Sequence, residues 1–167
     1  FDAMLKKIGD SPTPVVALML TINQHGPHDV EDPIGDYVKR FAESDRAYDA
    51  FLTALERRGR KAGVVAFGDH QPEFTAKFIE DQRKWYFTAY DIRCVNFACG
   101  KATSLDTRTK PLDVVMLTPM ALEEFGFSLD DFSLLQRKIF RDCTDDIERC
   151  DEAARLKFNG AFAQFFD

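Results

Sequence analysis

Several features are scarce in this sequence, and each scarcity closes off a class of function. Its 167 residues include four cysteines, too few to scaffold a chain of this length by disulfides. Cys94 with Cys99 and Cys143 with Cys150 miss the CxxC spacing of a zinc knuckle. Each pair is close enough for a local disulfide, and unpaired thiols are equally open. Positive charge is in the minority: 22 Lys and Arg against 28 Asp and Glu give a net charge of −6. Without a basic stripe to meet a phosphate backbone, nucleic acid is excluded as a partner. The longest apolar run, residues 15–22, falls short of the roughly 18–20 residues that span a bilayer, so the chain as given is expected to be soluble. The sequence opens at Phe1 with no charged n-region or apolar h-region, which puts any membrane-crossing part of a parent protein upstream. A GxxxxGK phosphate loop and a GxSxG nucleophile elbow are both missing.

Core-forming material, by contrast, is plentiful. Hydrophobic residues make up 45% of the chain, which suits one domain over residues 1–167 with no repeat, linker or low-complexity tract. After a polar start ending in Ser11-Pro12-Thr13-Pro14, the run Val15-Val16-Ala17-Leu18-Met19-Leu20-Thr21-Ile22 is apolar on both alternating faces, as in a parallel strand covered by helices. It stops at the polar segment Asn23-Gln24-His25-Gly26-Pro27-His28-Asp29, a loop. From 36 to 58 the apolar residues Tyr37, Val38, Phe41, Tyr48, Phe51, Leu52 and Leu55 recur at helical spacing, and Gly59 follows a basic last turn.

Val64-Val65-Ala66-Phe67 reads as a second buried strand, closed by Gly68-Asp69-His70-Gln71-Pro72. Strand, helix and strand predict a right-handed βαβ unit, with both loops at the carboxyl edge where α/β sheets bind ligands. A third strand is predicted around 90–97, followed by a polar loop over 101–110. Residues 112–117 fit strand or helix. Thr118-Pro119 reads as the cap and first position of a helix running to Phe125-Gly126. Ser128 and Asp131 approximate a capping box for a helix to about 142, and a second C-terminal helix is predicted after Thr144. The fold class is therefore α/β: an incomplete doubly wound αβα sandwich with a mostly parallel sheet and C-terminal helices.

All three histidines of the chain fall in the two loops: His25, His28 and His70. Asp69-His70 joins a carboxylate to an imidazole, a donor pair suited to Zn2+ or Mn2+, and Gly68 permits the turn that lets both converge. Two donors are half a site, so further ligands must come from elsewhere. As a bare dipeptide the pair equally fits a capped turn with a satisfied histidine. Asn23, His25 and His28 can bind an anionic oxygen, and imidazole can give a proton to a leaving group. A structural loop fits the same residues.

In combination these residues resemble a known family. The segment from Thr21 to His28 resembles the NHGPW-type segment of sulfatase-like transferases in the alkaline phosphatase superfamily. The helix around Ser44-Asp45 through Leu55 resembles their SD…L…L helix, and Val64 through Pro72 resembles their GDH-P strand and loop. The likeness covers about residues 14–73 and continues loosely to Gly126. Members include lipoteichoic-acid synthase, phosphoglycerol and phosphoethanolamine transferases, and arylsulfatases.

The resemblance implies that Asp69 and His70 are metal ligands, that His25 is catalytic at the phosphate or leaving group, and that Asn23 and His28 contact substrate. It implies a divalent ion, Mn2+ or Zn2+, whose site is completed by residues outside this chain. It also implies a phospho- or sulfo-ester substrate, a nucleophile in a missing N-terminal half, and a membrane-anchored parent with this domain periplasmic or extracellular. His28 stands where the membrane transferases often place Trp, and Gln24 precedes His25; both depart from the family pattern at the head-group end. Separated from its other half, such a domain is expected to be inactive and to self-associate through an exposed sheet edge. A non-catalytic interaction or regulatory module of the same descent is the alternative.

Overall fold

A computed structural model of the protein describes residues 1–80, 86–100, 113–142 and 160. These residues form a mixed α/β structure with helices and a small two-stranded antiparallel sheet. Two compact units are distinguished. The first comprises Phe1–Ala62 and Phe67–Tyr90, and the second Gly63–Ala66 and Asp91–Asp167.

In the first unit, α1 (Asp2–Asp10) lies against α2 (Pro33–Arg57). The Asp32 carboxylate caps α2 by accepting from the Gly35 N–H at 2.9 Å, and Pro33 opens the helix where its missing N–H costs nothing. Gly59, at φ +67°, ends it as predicted, donating to the Glu56 carbonyl. Leu5, Phe51 and Leu55 are buried at this contact, with the Phe1 ring 5.0 Å from that of Phe51. Helix α1 falls on a stretch whose polar residues suggested no element. Carbonyls within and just after it are held by side chains distant in sequence: Arg58 donates to Leu5 O, and Arg60 to Ile8 O and to Ser11 O at the C-cap.

The expected first strand is not formed among the described residues. Residues 14–22 run without turn or bend, and the sheet contains only β1 (Ala62–Phe67) and β2 (Tyr90–Val95). Apolar sequence specifies a strand only when a neighbouring backbone completes the hydrogen-bond ladder, and no described residue offers one here. The expected parallel pairing with β1 is therefore not seen. β1 instead pairs antiparallel with β2, and the Gly68 N–H donates to the Ala89 carbonyl just beyond the paired residues.

In the second unit, a 3-10 turn at Val114–Met116 leads into α3 (Leu117–Glu124). The residues left open between strand and helix are thus helical. The cap is Asp113, whose carboxylate accepts from the Val115 N–H at 3.2 Å, and Thr118 plays no capping role. Met116, Leu117, Pro119, Met120 and Ala121 are buried. The helix closes on Gly126 at φ +79°, where Gly126 N–H donates to Glu123 O and Phe127 N–H to Leu122 O, the paired bonds of a Schellman end. Helix α4 (Asp131–Asp142) is capped by Asp130, which accepts from Ser133 N–H at 2.7 Å, in place of the expected Ser128 box.

Cys94 and Cys99 form a disulfide. Beside it the Gly100 N–H and the Cys94 Sγ approach the Glu124 carbonyl at 2.7 and 3.8 Å. The polar loop over 101–110, the helix after Thr144 and the Cys143/Cys150 pair lie outside the described residues.

Candidate functional site

All five candidate residues belong to the first unit. The loop after residue 22 turns back at once, the His25 N–H donating to Ile22 O at 3.0 Å, and it contains a cis Gly26–Pro27 bond. Helix α2 holds it through one side chain above all. Arg40 donates to His25 O and Pro27 O, both at 3.2 Å, while its guanidinium is paired with Asp36 at 2.8 Å one turn earlier. Asp36 also accepts the Asp29 N–H at 3.2 Å. The Arg40 hydrogen bond, assisted by that N–H, holds the Asp36 carboxyl below its ordinary pKa.

Asn23 is exposed, and its side-chain amide donates to the Arg40 carbonyl at 3.1 Å. Its place is therefore structural in this arrangement, securing the loop to the helix. His25 is exposed as well. Its Nδ1 sits 3.0 Å from the Gly26 carbonyl, and because a carbonyl can only accept, Nδ1 carries the hydrogen. That leaves Nε2 as the lone-pair nitrogen of an exposed ring.

His28 is placed differently. Its side chain is only 8% exposed, with Tyr37 and Phe74 edge-on at 5.8 and 5.3 Å and Asp36 Oδ2 3.6 Å from Nδ1. That Nδ1 is buried without a hydrogen-bond partner among the described residues. Burial raises the pKa of the neighbouring Tyr37 phenol. A ring enclosed in this way anchors the loop and offers little to an incoming anion.

The second loop leaves the end of β1. Gly68 O accepts from Thr88 Oγ1 at 2.7 Å, and the Gln71 amide donates to Phe87 O, so both ends are tied to the segment leading into β2. Between these anchors His70 Nδ1 lies 2.7 Å from the Gln71 carbonyl, which again fixes the hydrogen on Nδ1 and makes Nε2 the lone-pair nitrogen. His70 Nε2 and Asp69 Oδ2 are 3.6 Å apart, with side chains 40% and 76% exposed. Two donors each about 2.1 Å from a common tetrahedral ion stand roughly 3.4 Å apart. The pair therefore has the spacing and the tautomer that two ligands to one metal would need. No group of three or more His, Cys, Asp or Glu suited to a metal occurs among the described residues.

The two loops meet through Phe74, four residues after His70, which contacts His28 and, at 5.6 Å, Tyr37. Sequence reasoning placed both loops at one sheet edge; here an aromatic cluster joins them. The residues it missed are Arg40, Asp36, Tyr37 and Phe74, which hold the loops and bear no chemistry of their own. An Asp and an Arg four apart on one helix were the only signal of the clamp.

Comparison of the chain with known protein families, with curated proteins and with solved structures finds no match.

Proposed function

We propose that this chain is the C-terminal part of a metal-dependent sulfatase-like phosphotransferase or hydrolase, acting on an anionic phospho- or sulfo-ester. The reading extends to transfer of phosphoglycerol or phosphoethanolamine to a cell-surface glycan. The observation that carries the proposal is the Asp69–His70 pair itself, with His70 Nε2 3.6 Å from a carboxylate oxygen of Asp69 at the end of β1. Asp69 and His70 would hold a Mn2+ or Zn2+ ion, with the shell completed by residues outside this chain. Bound there, the ion supplies Lewis-acid polarisation of a phosphoryl or sulfuryl oxygen.

His25 presents Nε2 from the neighbouring loop. Protonated, it gives its proton to the leaving oxygen as the ester bond breaks. The attacking group is supplied from outside this chain, so the parts act only when joined in the doubly wound sheet of a parent anchored at the outer side of a membrane. The Cys94–Cys99 disulfide supports that compartment, since such bonds persist where conditions are oxidising.

Mn2+ titrated into isotope-labelled protein is expected to broaden the Asp69 and His70 signals first, and weakly, because two donors leave most of the shell to water. Equal broadening in Asp69→Asn, or broadening spread over the acidic surface, would overturn the assignment. Tight stoichiometric binding would count against the need for outside ligands. Hydrolysis of a chromogenic phosphodiester is expected only once the complementing residues are supplied. The second reading, a non-catalytic interaction module, draws on the lack of a three-ligand group among the described residues.

A further inference from the structure

We propose that His28 is a proton-driven latch on the loop that carries His25: its charge decides how much of the Asp36 carboxylate is left to hold that loop. What the latch means for catalysis rests on the role proposed for His25. The latch itself needs neither metal nor substrate.

The His28 ring stands edge-on to Tyr37 and Phe74, and its Nδ1 is buried without a hydrogen-bond partner among the described residues. Asp36 Oδ2 faces that nitrogen at 3.6 Å. Arg40 keeps Asp36 in its charged form, and a carboxylate oxygen can only accept. A bare Nδ1 would set one lone pair against another, so the neutral ring carries its hydrogen on Nδ1 and its lone pair on Nε2. At this separation the Nδ1 hydrogen falls short of a hydrogen bond.

Oδ2 is already in use. It meets Arg40 Nη2 at 2.8 Å and accepts the Asp29 N–H at 3.2 Å. The same Nη2 donates to Pro27 O, and Nη1 donates to His25 O. With two lone-pair sites on the oxygen, a third donor is served only at the expense of these two.

When Nε2 takes a proton, the ring becomes a cation beside a carboxylate in a place largely closed to water, where their attraction is weakly screened. Oδ2 is then drawn toward the Nδ1 hydrogen. The Asp29 N–H, the longer of its two present contacts, gives way first, and Arg40 loses part of what orients Nη2 toward Pro27. Around the ring, α2 supplies Asp36, which favours the charge, Arg40, which opposes it, and Tyr37, whose phenol burial keeps neutral. The turn at 73–78 places Glu73 and Lys77 on either side of Phe74, and the loop adds Asp29 and His25. Only the two histidines belong to a residue type that ordinarily changes charge between about pH 5 and 8.

NMR of ring nitrogens and amides on the metal-free full chain, from about pH 8 to about pH 5, tests the latch apart from the metal reading. Neutral His28 is expected to carry its hydrogen on Nδ1. As it charges, the Asp29 N–H and Arg40 Nε–H signals should move at the midpoint of His28 and not at that of His25. Protection of the Asp29 amide should fall by about fivefold, as for the loss of one hydrogen bond. His28→Phe keeps a ring between Tyr37 and Phe74 and cannot titrate, so the step should vanish. Should that variant fail to fold, His28→Asn, which keeps a donor near the place of Nδ1, serves instead. The proposal is overturned by a neutral ring with its hydrogen on Nε2, or by a His28 that stays uncharged throughout. It fails equally if the Asp29 and Arg40 signals stay flat or follow only His25, or if the step survives in the variant.

Discussion

The first unit holds every candidate site residue, yet its buried hydrophobic residues are Leu5, Phe51 and Leu55 alone among the described residues. The second unit holds no candidate and buries Val95, Met116, Leu117, Met120 and Ala121. Exposure runs the other way. Among the described residues, the first unit displays Val16, Leu18, Leu20, Ile22, Ile34, Val38, Phe41, Phe67, Phe78 and Phe87 to solvent, and the second Val114, Val115, Phe127 and Leu134. The described part of the second unit thus includes a packed turn and helix, most of whose apolar residues have found partners. The first is a surface carrying loops, whose apolar residues outnumber the partners within reach. Exposed apolar area on that scale marks an interaction surface.

The sharpest way to break this contrast is to truncate matched side chains. Met116→Ala and Leu55→Ala remove groups that are 0% and 1% exposed, one in each unit. Each is expected to cost about 2–5 kcal/mol in urea-induced unfolding, through lost burial and the cavity left behind. Leu18→Ala, at 93% exposed, is expected to stay within about 0.5 kcal/mol in the monomer. A large loss at Leu18 in the monomer would mean that the segment is packed, and the contrast would fail.

The disulfide sharpens the comparison from the other side. Cys94 and Cys99 close a loop with a sequence separation of 5 in the second unit. Replacing both by serine is expected to lower stability by about 2 kcal/mol, from the loop-closure entropy returned to the unfolded chain. The loss should appear in the unfolding of the second unit, and the Asp69 and His70 resonances should keep their positions.

What the sequence made legible follows from how local each feature is. Helix α2, strand β1, the glycine ends at Gly59 and Gly126, and helices α3 and α4 were all readable, because periodicity and caps act within a few residues. That Asp69 and His70 stand side by side in the turn after β1 was readable for the same reason: adjacent residues in a turn need little from elsewhere. Residues 15–22 read as a covered parallel strand because the sequence shows only what a strand asks for and says nothing of whether a neighbour is present to answer. The burial of His28 was not legible for the same reason. Its composition suited an anion, while its burial depends on Tyr37 and on Phe74, which lies 46 positions further along the chain. The capping residues differ from the expected ones: Asp130 stands two positions from Ser128, and Asp113, five positions before Thr118, caps the 3-10 turn that precedes α3.

Capping offers a smaller test on the site-bearing unit. Asp32→Ala removes the carboxylate that accepts the Gly35 N–H. It is expected to cost about 1 kcal/mol, measured by thermal unfolding. Because Asp32 opens the helix that carries Asp36 and Arg40, amide exchange should rise over residues 23–29 as well. Faster exchange confined to α2 would separate the helix from the loop it is argued to hold.

The smallest expected effect sets one carboxylate in each unit side by side. Asp36 is held below its ordinary pKa by Arg40, and Asp130 by the side chain and then the backbone N–H of Ser133. Both groups favour the charged form when folded, so each contributes stability that is fully present above the ordinary carboxylate pKa of 3.8 and is lost as pH falls through the lowered folded value. Acidification below about pH 4 should therefore loosen both sites, with different consequences. Neutral Asp130 weakens only the first turn of α4, a local change in a packed unit. Neutral Asp36 gives up both the Arg40 guanidinium and the Asp29 N–H, and Arg40 is what holds the His25 and Pro27 carbonyls. Carboxyl titrations followed by NMR should thus show His25 and Pro27 shifting in step with Asp36, and nothing in that loop following Asp130. If the loop signals ignore Asp36, the clamp is decorative, and the fixed position of His25 must come from within its own turn.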